Sequence, residues 1–256
     1  MEFIQVETQG RVTTVTLNRP EVMNAIHPRM HFELQAAFDR FAADPEQFIC
    51  VVTGAGEKAF CAGSDLKAAG ESKGYPKNGY AGLAERFDLP KPIIAAVNGL
   101  ALGGGFELAL ACDIIIAAEH ASFGLPEPLV GAVALGGGLH RLARQIGLKQ
   151  AMGLILTSRR VGADEGVRLG FVNEIAPAGE LAACVGRCCE AILKGAPLAV
   201  QASKETTMKG LEERSIAEAM KRQTAYPAFA ALMASEDIKE GTRAFAEKRA
   251  PVWTGF

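Results

Sequence analysis

Hydrophobic and polar positions alternate at the start of this chain and settle into helical spacing further on. In residues 3–18, FIQVETQG followed by RVTTVTLN, the residues Val12, Val15 and Leu17 sit among β-branched neighbours, with Gln9-Gly10 between the two halves. That pattern predicts a hairpin of two strands, closed by Arg19-Pro20. From Pro28 to Ala43 the apolar residues Met30, Leu34, Ala37, Phe38 and Phe41 recur at helical spacing, and Asp44-Pro45 stops the run. FICVVTG at 48–54 is a short apolar run ended by Gly54, the mark of a buried strand. Residues 92–97 and Ile114-Ile115-Ile116 read the same way, with short helical pieces between them. Strands alternating with helices over the first two thirds predict an α/β fold.

After about Ala134 the strands nearly vanish. GGLHRLARQIG, LKQAMGLILTS, ADEGVRLG, residues 178–194, PLAVQASKETTMKG and residues 213–248 all read as helix, and only FVNEI as strand. The tail from Glu212 to Arg249 is amphipathic, a pattern that serves assembly with other chains or packing on its own core. Residues 71–80 are rich in Ser, Gly, Pro, Asn and Lys. They read as a mobile loop with no core to bury. No internal repeat and no low-complexity segment is present.

At 256 residues, 49% of them hydrophobic, the chain is one large domain or two small ones and is no candidate for disorder. Folding buries roughly three quarters of the surface of a chain this long. A net charge of −2 argues against a nucleic-acid partner, which calls for clustered cations. The apolar stretch from Ile93 to Ala118 is broken by Asn98, Glu107, Asp113 and several glycines, so it reads as core rather than membrane span. MEFIQVETQG has neither the basic nor the apolar region of a signal peptide, and a cytoplasmic location is expected. The six cysteines at 50, 61, 112, 184, 188 and 189 form no CxxC pair. They predict buried free thiols in a reducing compartment, and no metal site.

Two segments carry the candidate chemistry. In AFCAGSDLK at 59–67, small residues from Cys61 to Ser64 let the backbone approach something closely, and Asp65 opens a helix-like piece. In NGLALGGGFELALACD at 98–113, Gly103 to Gly105 precede a buried helix start. Free N–H groups at a helix N-terminus can hold negative charge. A tight turn with close helix packing is the alternative. The spacing fits neither a Walker A loop nor the dinucleotide fingerprint. Glu107 stands in apolar company, and Glu127, in ASFGLPEPLVGAV, does too. Two carboxyls with raised pKa can divide acid and base roles; ion pairs with a buried arginine such as Arg141 are the structural alternative.

At these residues the chain resembles the crotonase superfamily, the enoyl-CoA hydratase/isomerase family. The resemblance runs nearly end to end, through LNRPEVMNAI, KAFCAGSDLK, KPIIAAVNGLALGGGFELALACDIIIAAEHASFGLPE, GGGLHRLARQIG and SEDIKEGTRAFAEKRAPVW. YAGLAERFDLPKP and AFAEKRAPVWTGF resemble the branch of enoyl-CoA hydratases and carnitinyl-CoA dehydratases. The resemblance implies an α/β, crotonase-like (ClpP/crotonase) spiral of ββα units over residues 1–195. A helical C-terminal region over 196–256 would serve trimerisation and cover the active site. It implies an acyl-CoA thioester substrate, coenzyme A being part of the substrate and not a separate cofactor, and assembly as a homotrimer or a dimer of trimers.

Carried residue by residue, the resemblance makes the backbone N–H groups of Ser64 and Gly104 an oxyanion hole for the thioester carbonyl. Donors fixed before the reaction stabilise an enolate without reorganising, at about 3 kcal/mol for one donor. Glu107 and Glu127 match the two carboxylates of the hydratases, one a base on water attacking Cβ and the other a proton donor to Cα. Both being present favours reversible hydration of a 2-enoyl-CoA over an isomerase or hydroxyacyl-CoA lyase reaction. Coenzyme A would meet the main chain of Ala25, Ala62, Ser64 and Leu66. Lys67 is read either as a phosphate contact or as a solvated helix charge. Phe245 and Lys248 match further coenzyme A contacts, in the family often from a neighbouring subunit. Ala134-Leu135 stands where many hydratases have Pro-Gly, which predicts that Leu135 narrows or dries the water site. The histidines 27, 31, 120 and 140 match no catalytic role and read as surface or packing residues.

Overall fold

The computed structural model describes residues 1–256. Strands β1 (Ile4–Gln9) and β2 (Val12–Leu17) form the expected hairpin, paired antiparallel from Ile4 opposite Leu17 to Gln9 opposite Val12. Gly10 takes the left-handed step of the turn at φ +56°. β2 pairs parallel with β3 (Ile49–Gly54), β3 with β5 (Ile93–Val97), β5 with β7 (Ile114–Ala118), and β7 with β10 (Glu174–Ala176). These six strands are the first sheet.

A second sheet of four short strands runs beside it, in the order β4 (Ala59–Cys61), β6 (Leu100–Leu102), β8 (Ser122–Gly124), β9 (Val161–Gly162). Each turn of the chain lays one strand in the first sheet and the next in the second: β3 then β4, β5 then β6, β7 then β8. This is the expected spiral of ββα units. Periodicity in the sequence does not mark β6, β8 or β9 as strands. With two or three residues each, they are too short to show an alternating pattern.

Helix α1 (Pro28–Ala43) matches its expected bounds. His27 caps it, its Nδ1 accepting from the Arg29 amide at 3.2 Å, and Pro28 fills the first position, where no N–H is needed. Met30, Leu34, Ala37, Phe38 and Phe41 are all buried, the helix packing against β1 and the turn at Tyr80–Gly82. Helix α2 (Gly104–Ala111) is buried on every side through Leu110. Phe106 on it packs against Phe123 and Phe171, with ring centres 5.3 and 5.1 Å apart. The opposite face of the first sheet, through Ile49, Val51, Ile94 and Ile116, is covered by Cys184, Val185 and Cys189 of α6 (Leu181–Leu193). Burial on both faces explains why FICVVTG reads as a continuous apolar run. All six cysteines are free thiols, and all but Cys188 are buried.

Helices α3 (Gly138–Ile146), α4 (Leu148–Thr157) and α5 (Ala163–Leu169) follow the spiral, and α7 (Pro197–Gly210) opens the helical end. Residues 213–248 differ from the single helical stretch expected there. They form α8 (Ile216–Arg222), α9 (Pro227–Ala234) and α10 (Asp237–Glu247). Pro227 starts α9 because it lacks the N–H a continuous helix would use. FVNEI is also shifted: the strand begins only at Glu174, because the Phe171 and Val172 amides donate to Gly166 O of α5.

Residues 71–80 depart from expectation too. Asn78 and Tyr80 are buried, and the Asn78 amide donates to Gln35 Oε1 of α1 at 2.8 Å. The end of this loop belongs to the core. No helix is long and apolar enough to cross a membrane.

The chain ends by folding back on α10. Asp237, 1% exposed, accepts the amides of Thr254 and Gly255 at 2.8 and 2.9 Å and the Thr254 hydroxyl at 3.0 Å. Glu240 accepts from Arg249 and from the Val252 amide, and Trp253 Nε1 donates to Lys194 O at 2.8 Å. Replacing Asp237 by Ala leaves those part-buried donors without this partner. The expected outcome is a loss of about 1–3 kcal/mol in urea unfolding, with faster amide exchange confined to the last residues. An Asp237→Ala protein with native stability and exchange contradicts the latch.

Candidate active site

Two glycine turns meet at the edge of the second sheet. The first follows β4. Residues 23–26 run alongside it: the Ala62 amide donates to Met23 O at 3.0 Å, the Ile26 amide to Gly63 O at 2.8 Å, and the Asp65 amide to Ile26 O at 3.0 Å. Ile26 therefore bonds the residues on either side of Ser64, a parallel bridge that turns the Ser64 N–H the other way. The second turn joins β6 to α2. Gly103 stands at φ +54° before the helix, and Gly104 is the first helical residue, so its N–H has no intrahelical partner.

The turns touch through backbone alone. A Cβ on Gly63 would lie 2.9 Å from Leu102 O and 3.4 Å from the Gly104 nitrogen, and Gly63 is at φ +97°. A Cβ on Gly105 would collide with Cys61 O. The triple glycine is a tight turn with close packing, and the Gly104 N–H at its helix start has no intrahelical partner.

The two expected carboxyls stand next to these turns. Glu107, one helical turn into α2, is 3% exposed. Its Oε1 accepts the Gly138 amide, at the start of α3, at 2.8 Å. Burial pushes its pKa from the ordinary 4.5 to about 7; the Gly138 amide works against this, and the negative charge of Glu127 adds to it. Glu127 opens a 3-10 turn after β8. One oxygen, Oε1, would be 2.9 Å from a Cβ on Gly103, and the other, Oε2, is buried without a partner in the chain. Burial raises its pKa as well. Neither carboxyl is tied to an arginine. Arg141 Nη2 donates instead to Ala84 O at 2.7 Å.

Leu135 does not narrow this site. Its side chain is 79% exposed, and the residues that face Glu107 are Gly136 and Gly138: a Cβ on Gly136 would be 2.7 Å from Oε2, and one on Gly138 2.8 Å from Cγ. The absence of side chains there gives Glu107 its room.

Ala25, Ala62, Ser64, Leu66 and Lys67 come together on one strip, because 23–26 and 62–65 are paired. Leu66 and Lys67 are exposed at its end, on a 3-10 turn capped by Asp65, whose Oδ1 accepts the Lys67 amide at 3.2 Å. Arg19 braces the strip, donating to Asp65 at 2.9 Å and to Ala25 O at 2.7 Å. Burial opposes ionisation of Asp65, but the Arg19 guanidinium prevails and holds the carboxyl below its usual range. Phe245 and Lys248 are not brought to the strip. They lie at the end of α10, both exposed, Phe245 at 88%.

One residue at the site went unrecognised in the sequence. Tyr80 is buried with its hydroxyl 3.1 Å from Ser64 Oγ, and a Cβ on Gly104 would collide with that hydroxyl. Tyr80 lies in a polar, glycine-rich stretch, and nothing in local periodicity marks it. Only the downstream apolar residues Leu83 and Leu89, buried with it, carry a signal.

The profile of the enoyl-CoA hydratase/isomerase family matches residues 7–255. The chain is 42% identical to the carnitinyl-CoA dehydratase of Salmonella typhi and 43% identical to that of Proteus mirabilis, in each case over 99% of both chains. Its fold matches the crystal structure of an enoyl-CoA hydratase from Mycobacterium marinum with a TM-score of 0.93 at 39% identity, over 99% of both chains. It matches that of an enoyl-CoA hydratase from Mycobacterium tuberculosis H37Rv with a TM-score of 0.93 at 38% identity, over 99% of both chains.

The buried Glu107 has a consequence for stability. Folded, it keeps its proton up to about pH 7; unfolded, it loses it near 4.5. Between those values the native state binds more protons, so its stability falls as pH rises. Glu107→Gln removes this loss. Urea unfolding at pH 4.5 and pH 8 is expected to show a pH-dependent loss smaller by about 2–3 kcal/mol in Glu107→Gln than in the native protein. Parallel pH curves for the two proteins contradict the raised pKa.

Proposed function

This chain belongs to the enoyl-CoA hydratase/isomerase family, and from that premise we infer that it is a hydro-lyase, adding water reversibly across the 2,3 double bond of a 2-enoyl-CoA thioester. The observation that carries the reading is the pair of buried carboxyls, Glu107 and Glu127, free of arginine partners and set beside the two abutting glycine turns.

In this mechanism the thioester oxygen accepts from the amides of Ser64 and Gly104. Water attacks Cβ, and the electron pair of the double bond moves through Cα toward that oxygen. The amides stabilise the enolate charge, and the start of α2 adds a favourable dipole. One carboxyl of the pair takes the water proton and the other gives its own to Cα. The pair holds one proton before the reaction and one after it, so atoms and charge balance. Raised pKa values let the pair hold that proton near neutral pH, and the reverse order of steps is the dehydration.

Coenzyme A lies along the strip of Ala25, Ala62, Ser64 and Leu66, with Lys67 toward a phosphate. Phe245 and Lys248 complete the site from a neighbouring subunit of a homotrimer or a dimer of trimers. Their exposure in the single chain supports this assignment.

A second, narrower reading is dehydration of carnitinyl-CoA. The relatives of that name support it, and so do the rings of Tyr75 and Tyr80, 5.8 Å apart, with His31 packed edge-on to both. Aromatic faces attract a quaternary ammonium group.

Loss of the conjugated thioester absorbance on mixing with crotonyl-CoA tests the general reading, and crotonobetainyl-CoA in the same assay tests the narrower one. Glu107→Gln and Glu127→Gln are each expected to lower kcat by about 10²–10⁴-fold with KM little changed. Two variants that both keep native turnover contradict the assigned roles.

A further inference from the structure

The space above Gly104 is already taken. In the reading above the Gly104 amide is one of the two donors to the thioester oxygen, so a group packed against Gly104 bounds the space open to the acyl chain. The hydroxyl and ring edge of Tyr80 are packed there: a Cβ on Gly104 would lie 2.6 Å from Tyr80 Cε1 and closer still to its oxygen. At its other end Tyr80 reaches the carboxyls, its Cβ 3.2 Å from a Cβ on Gly136, the glycine that faces Glu107 Oε2. The phenol thus runs from the neighbourhood of Glu107 to the turn at Ser64.

Tyr80 is held in place from several sides. Its hydroxyl bonds Ser64 Oγ at 3.1 Å. The next residue, Ala81, sits at φ +52°, a left-handed conformation that a residue with a Cβ rarely adopts. Its amide donates to His31 Nδ1 at 2.9 Å. The His31 ring packs edge-on against Tyr80 at 4.7 Å. Burial, with the charge of His27, lowers the His31 pKa to about 4, so the ring is neutral and free to accept. Gln35, one turn further along α1, takes the Asn78 amide. Gly82 leaves no gap between the turn and α1, since a Cβ there would be 2.5 Å from Gln35 Cα. The ring is thus contacted by Ser64, His31 and Gly104 at once.

We propose that Tyr80 is the residue that sets acyl-chain length: its phenol, locked by Ser64, His31 and the strained Ala81, walls the acyl pocket over Gly104 and restricts the substrate to short acyl groups. This inference rests on the reading that the Ser64 and Gly104 amides hold an acyl-CoA thioester. It concerns what lies beyond the reacting carbons.

Crotonyl-CoA, 2-hexenoyl-CoA and 2-decenoyl-CoA are compared as substrates of the native protein and of Tyr80→Phe and Tyr80→Ala. Alongside, the dissociation constants of butyryl-CoA and decanoyl-CoA are measured by calorimetry. These saturated esters cannot be hydrated, so their binding reports the pocket independently of the chemistry. The native protein is expected to prefer the four-carbon over the ten-carbon ester in both assays. Tyr80→Ala should shift that preference toward the ten-carbon ester by about tenfold or more, while Tyr80→Phe, which keeps the ring, should retain it. Should Tyr80→Ala fail to fold, Tyr80→Leu shortens the side chain while keeping it apolar, and the same shift is expected.

A folded Tyr80→Ala or Tyr80→Leu protein with the native chain-length preference overturns the proposal, and so does a native protein that binds decanoyl-CoA as tightly as butyryl-CoA. Length-dependent binding that responds to Tyr80 without turnover of any enoyl ester supports the wall and removes only the hydratase reading.

Discussion

Two stretches of backbone come together with nothing between them, and the rest of the site depends on that contact. Gly63 has no room for a Cβ beside Leu102 O, Gly105 none beside Cys61 O, and Gly104 none beneath Tyr80. A side chain at Gly63 or Gly105 would wedge β4 away from the turn between β6 and α2, and one at Gly104 would collide with Tyr80. The spiral explains why the contact recurs at this edge. Each winding of the chain passes from the first sheet to the second, so the segments that follow β4 and β6 leave neighbouring strands on the same side. The Ile26 bridge then fixes which way Ser64 presents its amide, and the start of α2 fixes Gly104. Main-chain donors held by strand pairing and a helix start cannot relax toward solvent, which is the property that stabilising a developing negative charge requires.

The buried carboxyls are the counterpart of that rigidity. A carboxylate at 3% exposure with one good amide donor is poorly solvated, and its proton is retained to about pH 7. An arginine partner would satisfy the charge and remove the chemistry by holding the carboxyl ionised. Arg141 passes close by, but its guanidinium is committed to the Ala84 carbonyl. The glycines at 136 and 138 leave Glu107 unobstructed where larger residues would press on it. Three features of the fold — a buried helix, a glycine turn and a diverted arginine — thus act on one pKa.

Much of this was legible in the chain itself, and the failures have physical causes. Helix α1 and the long strands of the first sheet were legible because each buries a face wide enough to leave a period in the sequence. The second sheet was not: β6 and β8 have three residues and β9 two, and their pairing is decided by the spiral rather than by local preference. The segment 213–248 kept helical spacing while Pro227 divided it. Glu107 and Glu127 stood out as carboxyls in apolar surroundings, but that signal did not separate carboxyls without an arginine partner from arginine ion pairs. Arg141 decides it by its position, which no spacing encodes. Tyr80 was hidden for a related reason. Its burial depends on His31 and Gln35, some fifty and forty-five residues earlier on α1, and a polar loop gives no local sign of such a grip.

In the proposed reaction the amides of Ser64 and Gly104 polarise one thioester carbonyl. Butyryl-CoA labelled with carbon-13 at that carbonyl, bound to the native protein, reads this directly by infrared difference spectroscopy, because strong fixed donors weaken the C=O bond. The carbonyl stretch is expected at clearly lower frequency in the bound ester than in the free ester in water. A bound carbonyl at or above the frequency in water contradicts it.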